Sequence, residues 1–205
     1  VAHEGIDTSF YHPDSQTKLV LPQLKLDLSD AEEIVTYVSR GFEPYRGFPQ
    51  FMEAVRILMK RRPKCHVVLV GNLDQTFYGA PPSKDKSWRQ VELEKGGFDL
   101  KRLHFTGRLD YGSYLKVLQA STVHVYLTRP FVLSWSMLES MASGVCLVAS
   151  ATPPVEEVVT EGVNGLLANF RSPEHIESRI EEALEDRELR ERLSWAARET
   201  VMERY

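Results

Sequence analysis

Short apolar segments alternate with amphipathic segments along most of this chain, and this alternation restricts its fold more than any other feature. Apolar runs predict strands at 34–39, 65–70, 102–106, 123–127, 145–149 and 165–168. Helical spacing of apolar residues predicts helices at 48–61, 88–95, 114–120, 134–143, 173–186 and 188–204. Buried strands separated by helices form parallel sheets covered on both faces. We therefore expect an α/β chain with a Rossmann-like three-layer α/β/α fold and a parallel sheet of about six strands.

The overall composition is that of a globular protein. The 205 residues carry a net charge of −4, and the 25 lysines and arginines are scattered, so no nucleic-acid surface is expected. The longest apolar run, near 145–149, is too short for a transmembrane segment. The first residues lack the basic and apolar regions of a signal peptide. Cys65 and Cys146 are expected to be buried thiols rather than a disulfide, which predicts a cytoplasmic protein.

Ligands of parallel α/β sheets bind beyond the carboxyl ends of the strands. The residues that follow the predicted strands are therefore the first candidates for a site. They are Arg40, Gly71, Gly107, Arg129 and Ala151.

The start of the helix predicted at 134–143 has the features of a phosphate site. Ser134 and Ser136 flank its first turn, where unpaired N–H groups and the helix dipole favour an anion. Glu139 lies about one turn further in and can accept hydrogen bonds from a ribose diol. Trp135 either walls such a pocket or packs in the core, and the sequence favours core packing. Together these residues indicate a nucleotide site.

Two arginines flank a bent connection after the first predicted strand, in the sequence SRGFEPYRGF. If the bend turns Arg40 and Arg46 toward one point, their guanidinium groups suit a diphosphate. The alternative is that both are surface arginines paired with acids such as Glu43. The sequence leaves both interpretations open.

Several segments together resemble one enzyme family. SRGFEPYRG is similar to the "GR…K-G" signature of retaining glycosyltransferases of the GT-B fold, and RPFVLSWSMLESMASG to "E-G-F-G-…-L-E-A-M-A-x-G". VEEVVTEGVNGLL and RLHFTGRLDYGSYLKVLQASTVHVYLT match further family patterns, and HEGID resembles the "G-V-D" that opens the inter-domain link. The resemblance implies glycosyl transferases group 1, of the GT4-like type.

The resemblance also assigns roles to individual positions. It makes Arg40 the diphosphate arginine and puts Arg46 where a lysine is usual. Gly107, Arg108 and Leu109 correspond to the loop that meets the nucleobase, and Glu139 to the carboxylate that binds the ribose. Ser134, Trp135 and Ser136 fall at the phosphate position.

One position departs from the family pattern. Phe131 stands where the family has its first glutamate, which approaches the donor sugar. The two glycines that follow are replaced by Val132 and Ser134. This departure puts sugar recognition or catalysis in question.

The resemblance further implies a domain plan. Residues 1–33 would be an inter-domain link, 34–186 the nucleotide-sugar-binding domain and 187–205 a C-terminal helix. The N-terminal domain, which binds a sugar or lipid-linked acceptor, would be absent, so the isolated chain is expected to be inactive. This would be the C-terminal half of a GT-B fold, located in the cytoplasm or at the inner face of a membrane through its missing half.

The expected function is retaining glycosyl transfer from a UDP- or GDP-sugar donor, without a metal or another cofactor. The six histidines show no metal-ligand spacing. A non-catalytic nucleotide-sugar-binding module and a sugar-nucleotide epimerase of the same fold remain open as alternatives. A dinucleotide-dependent oxidoreductase is disfavoured, because G-x-G-x-x-G is absent after the first strand.

Overall fold

The computed structural model describes residues 5–205 as one α/β body. The first two residues of the HEGID motif lie outside the described residues. Within that part of the chain the elements run as follows: β1 (Val20–Leu21), β2 (Leu26–Asp27), β3 (Glu33–Gly41), α1 (Phe48–Arg61), β4 (Cys65–Asn72), α2 (Trp88–Glu94), β5 (Leu103–Gly107), α3 (Tyr111–Gln119), β6 (Val123–Tyr126), α4 (Trp135–Ala142), β7 (Cys146–Ser150), α5 (Pro153–Glu156), β8 (Leu166–Ala168), α6 (Pro173–Glu185) and α7 (Arg187–Arg204).

The main sheet has six parallel strands in the order β5-β4-β3-β6-β7-β8. The expected Rossmann-like sheet is thereby confirmed. The strand order reverses direction between β3 and β6, so the connections that leave these two strands diverge to opposite sides. Such a switch point creates a crevice at the carboxyl ends of the strands.

Two apolar layers hold the helices to the sheet. One buried cluster joins α1 and α6 to one face, with Phe51, Val55 and Ile180 fully buried. The other joins α3, α4 and α7 to the opposite face, with Val117, Met141 and Ala197 fully buried. Cys65 and Cys146 are buried free thiols on separate strands, as the sequence predicts. Within residues 5–205, no helix combines the length and the apolar character that crossing a membrane requires.

The link segment is more structured than its sequence indicates. β1 and β2 form a small antiparallel hairpin, and Leu19, Leu21 and Leu28 are buried in the same layer as α3 and α4. Helix α7 contributes Val201 to that layer. The link, the sheet and α7 therefore pack as one unit, although the boundaries at 33 and 186 stay predictions.

Two predicted boundaries need correction near the crevice. Strand β3 continues to Gly41, so Arg40 is the second-last residue of the strand rather than the residue that follows it. Helix α3 begins at Tyr111, three residues before the predicted start at Tyr114. The cause is a side-chain cap, because Asp110 Oδ1 accepts a hydrogen bond from the Ser113 N–H at 2.9 Å.

Candidate functional site

A cleft of about 800 Å³ opens at the carboxyl ends of the strands, at the switch point between β3 and β6. Its floor includes Ser39 and Gly71, from the ends of the adjacent strands β3 and β4. A Cβ atom at residue 71 would lie 2.0 Å from the Ser39 carbonyl oxygen, so only glycine allows these backbones to approach so closely. The cleft brings together nine sequence-predicted site residues: Arg40, Arg46, Gly71, Arg108, Leu109, Ser134, Trp135, Ser136 and Glu139.

Helix α4 points its amino end into this cleft. Among the described residues, no side chain caps α4, α1 or α5, whereas side chains cap α2, α3, α6 and α7. The Ser134 N–H donates to the Tyr126 hydroxyl at 2.7 Å, and the hydroxyls of Ser134 and Ser136 lie 3.2 Å apart. The first helical amides and these two hydroxyls therefore face the cleft with the positive end of the helix dipole, which favours an anion.

Arg40 is an exposed cation at the end of β3. Its guanidinium carbon lies 4.3 Å from the ring centroid of Phe77, which supports the side chain from one face. Arg40 forms no ion pair with any residue from 5 to 205. Its donors are therefore available to an anionic ligand in the cleft.

Arg46 lines the same cleft as Arg40, but it is buried and bonded to the protein rather than exposed. It is only 8% exposed. Its Nη1 donates to the Tyr126 hydroxyl at 3.2 Å, to Thr128 Oγ1 at 3.0 Å and to the Val132 carbonyl at 2.9 Å. The Nη1 group therefore holds the loop between β6 and α4 in place beside the cleft.

Glu43 does not pair with these arginines, so that alternative is wrong. Its carboxylate is buried, and Oε2 accepts from the backbone N–H groups of Phe77 at 2.6 Å and Tyr78 at 2.9 Å. The loop between β4 and α2 is thus anchored rather than freely solvated. The anchored loop places the ring of Phe77 against the guanidinium group of Arg40, and it places Tyr78 in the wall of the cleft.

Glu139 is buried and held by two phenols. Its Oε1 accepts from the Tyr11 hydroxyl at 2.9 Å, and its Oε2 accepts from the Tyr114 hydroxyl at 2.7 Å. Burial raises the pKa of Glu139, and the two hydrogen bonds act in the opposite direction. Each carboxylate oxygen keeps a second lone pair, so the group retains the capacity to accept from a ligand.

The predicted base loop reaches the cleft only in part. Arg108 and Leu109 line it, while Gly107 ends β5 in a left-handed conformation, with φ of +73°, and does not. Arg129 and Ala151 also lie outside the lining. The turn at Gly107 therefore places Arg108 and Leu109 at the cleft.

Phe131 and Trp135 have unlike surroundings. Phe131 does not line the cleft and packs edge-on against Tyr45 and Tyr78, with ring centroids 6.1 and 5.0 Å apart. Its ring centroid also lies 5.5 Å from the guanidinium carbon of Arg46.

Trp135 is 58% exposed at the cleft wall, so the interpretation of Trp135 as a core residue is wrong.

Sequence reasoning missed five tyrosines of this site: Tyr11, Tyr78, Tyr111, Tyr114 and Tyr126. Tyr114 and Tyr126 lie in predicted elements, and a buried tyrosine needs a hydrogen-bonding partner, which is a usable signal. No local pattern identifies Tyr11 or Tyr78, because each comes from an irregular segment far from its partners in sequence.

Comparison with known proteins agrees with this geometry. The family model for glycosyl transferases group 1 matches residues 24–200. An uncharacterized glycosyltransferase of Methanocaldococcus jannaschii is 31% identical over 150 residues, which cover 66% of this chain and 38% of that protein. A D-inositol 3-phosphate glycosyltransferase of Corynebacterium glutamicum is 23% identical and is matched over 96% of this chain and 48% of its own length. The chain thus spans less than half the length of these curated relatives.

Solved structures share the fold. A C-terminal domain of a glycosyl transferase group 1 family protein from Francisella tularensis superimposes with a TM-score of 0.78 at 19% identity, covering 98% of both chains. Anabaena HepE in complex with UDP-glucose gives a TM-score of 0.79 at 20% identity, covering 98% of this chain and 52% of HepE. The sheet is therefore that of a C-terminal GT-B domain. With the family model matching most of its length, the chain belongs to the glycosyl transferases group 1 family.

Proposed function

We propose that this chain binds the nucleotide-sugar donor of a glycosyltransferase in the cleft between β3 and β6. One observation carries the proposal: the uncapped amino end of α4, the exposed Arg40 and the buried carboxylate of Glu139 line one cavity. An anion-binding site next to a carboxylate that can accept hydrogen bonds from a ribose diol suits a ribonucleoside diphosphate. The presence of UDP-glucose in the similarly folded Anabaena HepE supports a uridine diphosphate sugar as donor, and a guanosine diphosphate sugar is the second candidate.

In this proposal different residues of the cleft bind different parts of the donor. The diphosphate lies against the first amides of α4, the hydroxyls of Ser134 and Ser136, and Arg40. The ribose hydroxyls donate to Glu139, and the base lies toward Arg108 and Leu109. Trp135 forms the outer wall.

The proposed chemistry is stabilisation of a leaving group. When the bond from the anomeric carbon to the diphosphate oxygen breaks, its electron pair leaves with the diphosphate. The anomeric carbon forms its new bond to an acceptor hydroxyl oxygen, and the diphosphate takes up the hydroxyl proton. Preorganised amides and a guanidinium stabilise that developing charge, and Arg46 adds positive charge nearby. We propose that this arrangement serves without a metal and with retention at the anomeric carbon. Activity unchanged by EDTA, and a product anomer matching the donor by NMR, are the corresponding measurements.

Phe131 supports a second candidate, a nucleotide-sugar-binding module without catalysis. Its ring packs on Tyr45 and Tyr78 at a position where the family carries a carboxylate. Turnover of any donor in a panel of UDP- and GDP-sugars by the protein in its full length excludes this candidate. Binding without turnover across the panel favours it.

The proposal also extends to the rest of the enzyme. The curated relatives are more than twice as long as the part they share with this chain, which supports a further domain that binds a sugar or lipid-linked acceptor. Two free buried cysteines support a cytoplasmic location, at the membrane face if the acceptor is lipid-linked. Cell fractionation tests the location.

Calorimetric titration with UDP, GDP and pyrophosphate tests the donor site. Arg40→Ala is expected to weaken all three by about 10- to 100-fold, since a charged hydrogen bond contributes about 1.5–3 kcal/mol. Arg129→Ala is the matched control, because Arg129 is also exposed and also stacks on an aromatic ring, 5.2 Å from the Tyr45 centroid, but lies outside the cleft. Equal affinities for the two variants contradict the proposed site. Tighter binding of NAD than of UDP or GDP favours a dinucleotide-dependent oxidoreductase instead.

A further inference from the structure

Glu139 receives its two hydrogen bonds from separate parts of the chain. Tyr114 belongs to α3 and lines the cleft, whereas Tyr11 belongs to the link segment, lies 128 residues away in sequence and does not line the cleft. We propose that Tyr11 is a positioning residue that orients the Glu139 carboxylate toward the ribose of the donor. This inference rests on the proposed function, because it deepens the role of the same site.

The geometry explains why a positioning residue is needed. Among the described residues, Glu139 is the only carboxylate that lines the cleft. A carboxylate that accepts hydrogen bonds from two neighbouring hydroxyls must direct both of its oxygens toward them. This requires a fixed orientation of the carboxylate plane. Since Tyr11 bonds to one oxygen and Tyr114 to the other, the plane is fixed before any ligand arrives, and one lone pair on each oxygen stays available.

Tyr11 is itself held in place from behind. Its side chain is buried, and its ring contacts those of Phe10 and Tyr114 edge-on, with centroids 5.0 and 6.3 Å away. Its backbone carbonyl accepts a hydrogen bond from Arg198 Nη1 of α7 at 3.1 Å. The link segment and the C-terminal helix thus jointly determine where the phenol of Tyr11 lies. Through its hydrogen bond, Tyr11 in turn orients the Glu139 carboxylate.

The electrostatic surroundings give the role a measurable signature. Burial raises the pKa of Glu139, and the two phenols are the groups that counteract this shift. Tyr111 and Arg108 share the cleft with Glu139, and Asp7 lies on the other side of Tyr11. Removing the Tyr11 hydroxyl therefore raises the pKa of Glu139 further, so that the carboxylate protonates at a higher pH.

The test uses Tyr11→Phe, which keeps the ring contacts and removes only the hydroxyl. The pKa of the Glu139 side chain is measured by carboxyl ¹³C NMR in the ligand-free chain. It is expected to rise in Tyr11→Phe and to rise further in Tyr11→Phe/Tyr114→Phe. Tyr45→Phe is the matched control, because Tyr45 is exposed and contacts Phe131 rather than Glu139.

Ligand binding supplies the second readout. For whichever of UDP and GDP binds the wild type more tightly, Tyr11→Phe is expected to weaken affinity by about 3- to 10-fold. The loss should be greater at pH 5.5 than at pH 8, should vanish for the 2′,3′-dideoxy form of that nucleotide, and should not affect pyrophosphate.

The outcomes separate the two proposals. An unchanged pKa of Glu139 in the double variant, or wild-type nucleotide affinity and pH profile in Tyr11→Phe, overturns the positioning role alone. If the pKa rises as expected but the wild-type chain binds neither UDP nor GDP, the proposed function fails and the positioning role falls with it.

Discussion

The Nη1 atom of Arg46 donates a hydrogen bond to the carbonyl oxygen of Val132 at 2.9 Å, across the switch point of the sheet. Arg46 follows β3 and Val132 follows β6, so this bond joins the two connections that diverge there. The same nitrogen reaches Tyr126, whose hydroxyl also accepts from the Ser134 N–H. The start of α4 is thereby fixed relative to β3.

Arg46→Met should destabilise the fold by removing this junction. Loss of the charged hydrogen bonds leaves the Val132 carbonyl and the Thr128 hydroxyl oxygen without this donor, and Tyr126 keeps only the Ser134 N–H, at a cost of about 1.5–3 kcal/mol. Urea unfolding followed by circular dichroism measures the change in free energy. Arg129→Met, in the exposed part of the same loop, should change it by less than about 0.5 kcal/mol. Equal stabilities for the two variants would show that the junction is dispensable.

Gly71→Ala should disrupt the floor of the cleft. The added Cβ would lie 2.0 Å from the Ser39 carbonyl oxygen, which is backbone and cannot move independently of β3. We expect a loss of at least about 1–3 kcal/mol in unfolding free energy, together with weaker nucleotide binding.

Gly112→Ala is the matched control for the Gly71 variant. Its Cβ would approach nothing closer than Asp110 Oδ1 at 3.4 Å, and Gly112 lies in the first turn of α3. Because alanine is the better helix former, this variant should be neutral or more stable by up to about 1 kcal/mol. A Gly71→Ala protein as stable as Gly112→Ala would mean that β3 and β4 can separate at this point.

Glu139→Gln should distinguish ribose binding from diphosphate binding. The amide keeps the shape of the carboxylate but loses its charge and one acceptor oxygen. UDP, GDP and uridine are expected to bind more weakly by calorimetry, while pyrophosphate keeps its wild-type affinity. If pyrophosphate weakens to the same degree, Glu139 serves the phosphates or the fold rather than the ribose.

The buried His124 should make the stability of the chain fall in acid. Desolvation lowers the pKa of His124 from 6.5 to about 3, so the folded chain keeps this ring neutral at a pH where the unfolded chain protonates it. The unfolded state then binds more protons, and the unfolding free energy decreases as pH drops through the range from 6.5 to about 3.

A variant isolates this contribution. His124→Asn retains a polar group for Thr36, whose Oγ1 lies 2.9 Å from His124 Nδ1. Its plot of unfolding free energy against pH should be flatter between pH 4 and 6 by up to about 1.4 kcal/mol per pH unit. Parallel slopes for the wild type and His124→Asn would remove His124 as a source of the acid sensitivity.

The sequence predicts the framework of this domain closely. Helix α1 begins and ends where the apolar spacing places it, and the six strands of the sheet match within two residues at each end. These elements are visible because each must bury a continuous apolar run or face. The β1–β2 hairpin was missed because strands of two residues carry no periodicity.

The candidate site is predictable to the extent that topology places it. Arg40, the start of α4 and Glu139 follow from the rule that the carboxyl ends of parallel strands meet at one edge. The burial of Arg46 and the bond from Tyr11 to Glu139 were not predicted. Both depend on side-chain packing between segments 80 or more residues apart, and local sequence patterns do not record such contacts.

The grip of Glu43 on the loop after β4 has a consequence for how this domain tolerates change. Its carboxylate holds the loop through two main-chain amides, at residues 77 and 78, and not through their side chains. Neighbouring positions of the loop are therefore free to vary in chemistry while the platform beneath Arg40 stays where it is. In the proposed donor site, changes along this edge of the cleft would therefore alter contacts to the ligand while Arg40 keeps its position.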